Sequence, residues 1–233
     1  VVLTAFLFGT MEVACKVAGN QLDPFQLTFI RFAIGGLILL PFATVELRKA
    51  KIRLTARDLL RLAGVGILGI SLSMVFFQLG VSNSNASTAS VLISINPLFT
   101  MVFAHFFTSE KLNRHKFVVL GFGLMGLIFM IRPWDVQEGN TVIGIVYMLL
   151  AAIFFGAYTI AGKVSAQKLG IMAQTSISFI LGSIVLLIMM LIMGKPVIAG
   201  VADNLPLVVY ISLFVTGLGY FSYFMAIKCS DAA

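Results

Sequence analysis

LTAFLFGTMEVACKVAGNQLDPFQLTFIRFAIGGLILL (residues 3–40) and LAAIFFGAYTIAGKVSAQKLGIMAQTSISFILGSIVLL (150–187) lie over one another at a constant offset of 147 without gaps, and 14 of the 38 positions are identical. Shared apolar composition can account for many of these matches. It does not account for Gly9/Gly156, Lys16/Lys163, Thr28/Thr175 and Gly35/Gly182, with Phe8/Phe155 beside the first pair. Internal duplication of hydrophobic helices is a mark of secondary transporters, in which a substrate site forms where the two copies meet.

The rest of the chain fits that frame. Hydrophobic residues make up 60% and charged residues 11% of the sequence, and the mean hydropathy is +1.06. These values exclude a soluble globular domain and indicate an all-α, polytopic membrane protein. A spanning helix needs ~20 mostly apolar residues. Eight candidate spans follow, at about 1–18, 24–45, 62–82, 86–108, 115–132, 141–162, 171–193 and 205–227, with ends set to within roughly 2–4 residues. Connections are short and leave no room for a soluble domain. The chain opens inside the first span, with no polar n-region and no small-residue cleavage site, so that span is not a removable signal peptide. Cys15 and Cys229 fall near opposite faces, which argues against a disulfide, and no metal-ligand spacing is present. No cofactor and no metal are expected.

The net charge of +7 sorts by side of the membrane rather than pointing to nucleic acid. With a cytoplasmic amino terminus, the inner side holds Arg48, Lys49, Lys51, Arg53, Arg57, Arg61, Lys111, Arg114, Lys116, Lys163, Lys168 and Lys228. The outer side holds Lys16, Arg132 and Lys195, and Arg31 lies within the second span. Twelve against three is a strong positive-inside bias, and it predicts a multi-pass protein of the cell membrane with its amino terminus in the cytoplasm. Trp134, after Pro133, reads as an interfacial anchor.

Residues 1–133 form a first repeat of five helices, and an odd number forces the second repeat, 141–233, into the membrane upside down. Lys16 and Lys163 match in sequence yet fall on opposite sides. The third helices also correspond: FQLGVSNSNAS (77–87) sits over YFMAIKCSDAA (223–233), with Ser84 over Ser230. In the first repeat another 45 residues, 88–132, follow this point. By symmetry a comparable length is expected after residue 233, giving roughly 280 residues and ten helices, of which eight are present here.

Ionisable groups inside lipid are costly and are site hypotheses by default. Glu12 and Arg31 lie well within spans, each ~12–15 Å from the turn near Asn20–Gln21 by helical rise, so an antiparallel hairpin places them at similar depth. Two readings stand: Glu12 faces a cavity and takes a cationic group or a coupling proton, with Arg31 tuning it, or the two form a static ion pair pinning the hairpin. The second repeat has Thr159 and Ser178 at these positions, an asymmetry that favours function. In SINPLFT (94–100), Asn96 and Pro97 fall near the middle of the fourth span, where proline frees the carbonyl of Ile93. That kink either contacts substrate or serves packing. Gln78, Tyr158 and Tyr223 are polar tips able to orient a ligand or to bond between helices. GVGILG (64–69) and GFGLMG (121–126) fit G-x-G-x-x-G but lie inside spans, where glycine serves close helix approach rather than dinucleotide binding.

Taken together, these residues resemble the drug/metabolite transporter superfamily, in its EamA-type group of permeases. The resemblance rests on the Phe-Gly step of each repeat with a lysine seven residues on, and on NASTASVLISINPLFT (85–100) with Pro97. It rests also on Glu110 in TSEKLNRHKF and on the glycine-rich fifth span, VVLGFGLMGLIFMI. It implies ten helices, a central cavity and transport of small metabolites, often export of amino acids or related compounds. The expected partners are a small-molecule metabolite and membrane lipid, with no nucleic acid, and the protein is expected as a monomer or homodimer. The leading expectation is a secondary transporter working by alternating access with Glu12 as coupling group, and substrate binding by Glu12, Arg31, Gln78, Asn96, Tyr158 and Tyr223. A channel or facilitative pore is the alternative. An intramembrane enzyme is disfavoured, since no span carries an interior aspartate or a G-x-S-x-G.

Overall fold

The structure, a computed structural model, describes residues 2–108, 114–131 and 141–230. Trp134 and Glu110, both singled out in the sequence, lie outside the described residues. Every regular element among the described residues is helical. The helical rods are α1 (Val2–Gly19), α2 (Pro24–Lys49), α3 (Ala56–Ser82), α4 (Ala86–Phe107), α5 (Arg114–Ile131), α6 (Val142–Leu169), α7 (Ile171–Ile192) and α8 (Leu205–Tyr223, continuing to Ser230). Seven of them, all except α5, are long and apolar enough to cross a bilayer.

Local chemistry sets the ends. Asp23 accepts from the backbone N–H of Phe25 at 2.9 Å, and Pro24 opens α2, where its missing N–H costs nothing. Thr55 and Asp58 form a reciprocal capping box on α3. The same Asp58 carboxylate accepts from Lys168 Nζ of α6 at 2.6 and 2.8 Å, tying two helix ends together. Between α6 and α7 the chain reverses through a single residue, Gly170, with φ +90°, a conformation that suits glycine. Glu46 of α2 packs on that glycine and accepts from the backbone N–H of Ala173 at 3.0 Å, capping α7 from a neighbouring helix.

The core is organised about the meeting of α2 with α7. Phe32 and Phe179, matched positions of the two repeats, pack edge to face with ring centroids 4.8 Å apart. Gly36 lets α7 approach at Phe179 and Ile180, and Ser176 Oγ donates to the Gly36 carbonyl at 2.8 Å. Around this centre the contacts repeat. Gly35 of α2 lies against Thr216 and Gly217 of α8, while its counterpart Gly182 of α7 lies against Gly66 and Ile70 of α3. The third helix of each repeat also carries a π-helical stretch, Ile67–Met74 in α3 and Tyr210–Leu218 in α8. Such widened turns open the backbone ladder and recur at functional sites. Matched glycines and aromatic rings of the two duplicated segments thus make corresponding contacts in the packing.

In the glycine strings, Gly66 and Gly69 of α3 contact α7 and the Tyr158 ring of α6, and Gly123 of α5 meets Leu98, while nothing lies within 4 Å of a methyl added at Gly64, Gly121 or Gly126. The fourth span breaks at Ser94–Ile95, and the helix restarts at Asn96 with Pro97 in its first turn. The restarted segment then crosses α6 at Gly156. A methyl group on Gly156 would stand 2.9 Å from Phe99 Cβ and 3.0 Å from the backbone of Phe99 and Thr100. At the matched Gly9 nothing lies within 4 Å of such a methyl. Gly156→Ala is therefore expected to cost ~1–3 kcal/mol as overpacking, whereas Gly9→Ala should leave the chain as stable as before. Paired thermal denaturation in detergent checks this, and equal losses would refute it.

Candidate functional site: a cavity open at one end of the bundle

Four helices, α1, α6, α7 and α8, enclose a cavity of about 780 Å³. Much of its wall is aromatic: Phe8 from α1, Phe155 and Tyr158 from α6, and Tyr220 and Tyr223 from α8. These rings support each other, with Phe8 edge-on to Tyr220 at 5.4 Å and Phe155 against Tyr158 at 5.5 Å. The polar lining is Thr159, Gln174 and Thr175, and toward the mouth Lys163 and Gln167. Tyr158 is buried, and Thr175 Oγ1 donates to Gln174 Oε1 at 3.2 Å. No carboxylate lines the cavity among the described residues. Aromatic faces with a few convergent hydroxyls, amides and one ammonium suit a partly polar, small organic solute.

The opposite end of the bundle is closed. Lys16 Nζ of α1 donates to the Ser82 carbonyl at the end of α3 at 2.8 Å, and Gln78 Nε2 donates to the Cys15 carbonyl at 2.9 Å. Gly19 packs against Ser82 and Gln78 at the same level. Across α2, Gln26 Nε2 reaches the Ala199 carbonyl at 2.9 Å, and Lys195 pairs with Asp23 at 2.8 Å. At the offset of 147 the residues facing the cavity correspond to residues of this sealed half: Tyr158 to Met11, Thr159 to Glu12, Gly162 to Cys15, Lys163 to Lys16 and Thr175 to Thr28.

Of the residues singled out in the sequence, Tyr158 and Tyr223 line the cavity. Glu12, Arg31 and Gln78 lie in the sealed half, 7%, 2% and 0% exposed. Glu12 and Arg31 do not come within salt-bridge distance, 4.0 Å, of each other. Arg31 instead donates to Cys15 Sγ at 3.1 Å, Met74 Sδ at 3.6 Å and Met11 Sδ at 3.7 Å, and stacks over Phe32 at 4.6 Å. The static ion pair is thus absent. Three sulfurs and an aromatic face occupy the place a carboxylate would take. Asn96 lies at the break in α4, away from the cavity, with a buried side-chain oxygen that has no hydrogen-bond partner. Gln174, Tyr220 and Gln167 were not singled out in the sequence. The repeat offered a signal for their neighbours, since Lys163 and Thr175 are among its polar identities.

A second hollow of about 740 Å³ runs between α3, α4 and α6, lined by Leu68, Phe103, Phe107, Ile160 and Val164 with Arg61 at its edge. Its wall is almost wholly apolar, with Arg61 and Ser165 its polar lining groups.

Known proteins place this geometry. The EamA-like transporter family matches residues 1–132 and again 142–233. An uncharacterized transporter of Clostridium kluyveri is 36% identical over the whole of this chain and 77% of its own length. An S-adenosylmethionine uptake transporter of Rickettsia prowazekii is 29% identical over 75% of this chain and 57% of its own length. A crystal structure superposes over 97% of this chain and 77% of its own, with a TM-score of 0.65 at 18% identity, a likeness of fold. The chain belongs to the EamA-like transporter family, and the cavity between its repeats belongs to a multi-pass membrane transporter.

Proposed function

We propose that the protein exports small polar metabolites, such as amino acids or related compounds, across the cell membrane by alternating access. In this reading the amino terminus and the Lys163 end are cytoplasmic, as the 12:3 distribution of basic residues supports. The observation that carries the proposal is the inequality of two matched halves. Tyr158, Thr159, Gly162, Lys163 and Thr175 line an open cavity, while their counterparts Met11, Glu12, Cys15, Lys16 and Thr28 lie in the half sealed by Lys16–Ser82 and Gln78–Cys15; only the pair Phe8 and Phe155 shares the cavity wall. Exchanging the two arrangements about the α2–α7 centre opens the other side without new contacts having to be invented. The structure then corresponds to the inward-open state, with Tyr158, Gln174 and Tyr223 meeting the solute.

Counterflow in proteoliposomes tests this reading. Vesicles loaded with one unlabelled solute from an amino acid and nucleoside panel should accelerate entry of the same labelled solute, with saturation. Non-saturating flux that ignores the internal solute would replace the carrier by a pore. The Rickettsia relatives named for S-adenosylmethionine uptake make that compound a member of the panel. Glu12 is the proposed coupling group. Glu12→Gln should flatten the pH dependence of flux while leaving counterflow running, and an unchanged pH profile removes Glu12 from that role.

A further inference from the structure

We infer that Arg31 is a binding subsite for an oxyanion, a carboxylate or phosphate, on the transported solute, and that it is reached when the sealed half opens. The inference rests on the alternating-access reading. Arg31 is 2% exposed at mid-helix depth, and no carboxylate among the described residues lies within 4.0 Å of it. Its three sulfur acceptors are weak, and its Nε has no hydrogen-bond partner. A guanidinium desolvated without a hydrogen-bonded anion is expensive, and a purely structural role gives no return for that cost.

The neighbouring wall carries the same signature. Gln78 Oε1 and Ser82 Oγ, along α3, are also buried without partners, although Gln78 Nε2 and the Ser82 carbonyl are both engaged. Unmet hydrogen-bonding groups thus sit on two helices facing α1. Cys15, which bonds Arg31, matches Gly162, whose neighbours Thr159 and Lys163 line the open cavity. The repeat therefore turns this region into a cavity wall in the opposite state. There, Nε and the Nη groups can give an oxyanion the paired donors it prefers, while the Phe32 and Phe77 rings flank the plane at 4.6 and 5.9 Å. The second repeat has Ser178 at this position, so the subsite belongs to one half only.

Cys15 is a native reporter. In proteoliposomes of the full chain carrying Cys229→Ser, its rate of reaction with N-ethylmaleimide is measured alone and with phenylacetate, phenyl phosphate or neutral phenylacetamide. The expected result is slow labelling that at least one of the two acids suppresses about tenfold, the scale of a charged hydrogen bond, while the amide leaves it unchanged. Whether phenylacetate or phenyl phosphate protects better separates carboxylate from phosphate recognition. Arg31→Gln should label but lose protection, and Arg31→Lys should keep only part of it. Equal effects of acid and amide, protection by neither acid, or protection that survives Arg31→Gln overturns the subsite. Should Arg31→Gln fail to fold, the acid–amide comparison on the unsubstituted arginine decides. A Cys15 that never labels overturns alternating access at this face and the subsite with it, whereas labelling without protection overturns the subsite alone.

Discussion

Alanine at Gly66 is expected to leave little folded protein. A methyl group there would be driven into the Ser178 carbonyl oxygen and would stand 2.8 Å from Gly182 N and 3.0 Å from Gly182 Cα. All of these atoms are backbone, so no side chain can rotate away and the helices must part. Gly182 faces the same obstacle in reverse, with Gly66 O at 2.6 Å and Ile70 Cβ at 2.9 Å from its own added methyl. Parting α3 from α7 also strips the hydrogen bond from Ser71 Oγ to the Gly182 carbonyl, 3.1 Å and fully buried. Overpacking alone costs ~1–3 kcal/mol, and a buried donor left unmet adds ~1–3 kcal/mol, together a large part of a typical stability. Gly64→Ala is the control, because nothing lies within 4 Å of a methyl at that position on the same helix. Size-exclusion recovery and thermal midpoints in detergent should show Gly66→Ala lost and Gly64→Ala intact. If the two behave alike, the α3–α7 crossing is not the tight point described.

Much of this architecture was legible in the sequence because it follows from solvent. Lipid demands long apolar helices with internally satisfied backbones, so the spans announce themselves; close approach holds at Gly35, Gly36, Gly66, Gly69, Gly156 and Gly182 but not at Gly9 or Gly64. The fourth span breaks just before Pro97, which then opens the restarted helix, whereas α2 runs unbroken through Pro41. The surroundings of Arg31 were not legible. Helical rise placed Glu12 at its depth, but rotation about the helix axes turned Met11 and Cys15 toward the guanidinium instead. Its third sulfur, Met74, is contributed by α3, 43 residues further along the chain. Nor does sequence say which half of a duplicated transporter is open. The two states share one set of residues and differ by a few kcal/mol, which no periodicity encodes. The π-helical stretches of α3 and α8 were unannounced for a similar reason, since their hydropathy is that of any buried helix.

Removing Lys16 from the sealed face should have the largest effect on which state the protein occupies. The Ser82 carbonyl lies in the last turn of α3, where carbonyls lack intrahelical partners and the helix dipole favours a cation. Lys16→Met deletes a hydrogen bond made by a charged donor, worth ~1.5–3 kcal/mol, from the closed state alone, because the lysine is solvated once the face opens. Under the proposed alternating access and orientation, the equilibrium then moves toward outward-open by roughly ten- to hundredfold. With Cys229→Ser in place, a membrane-impermeant maleimide added outside should label Cys15 faster by that factor. The opposite face provides the necessary contrast. A cysteine at Thr159, which lines the open cavity, should become slower to label from the side proposed as cytoplasmic in the same protein. Reciprocal rates follow from two arrangements in exchange about the α2–α7 centre. If both cysteines label faster together, Lys16 was holding the fold rather than choosing between states, and Gln78→Leu, which removes the bond to the Cys15 carbonyl, should then loosen both faces in the same way.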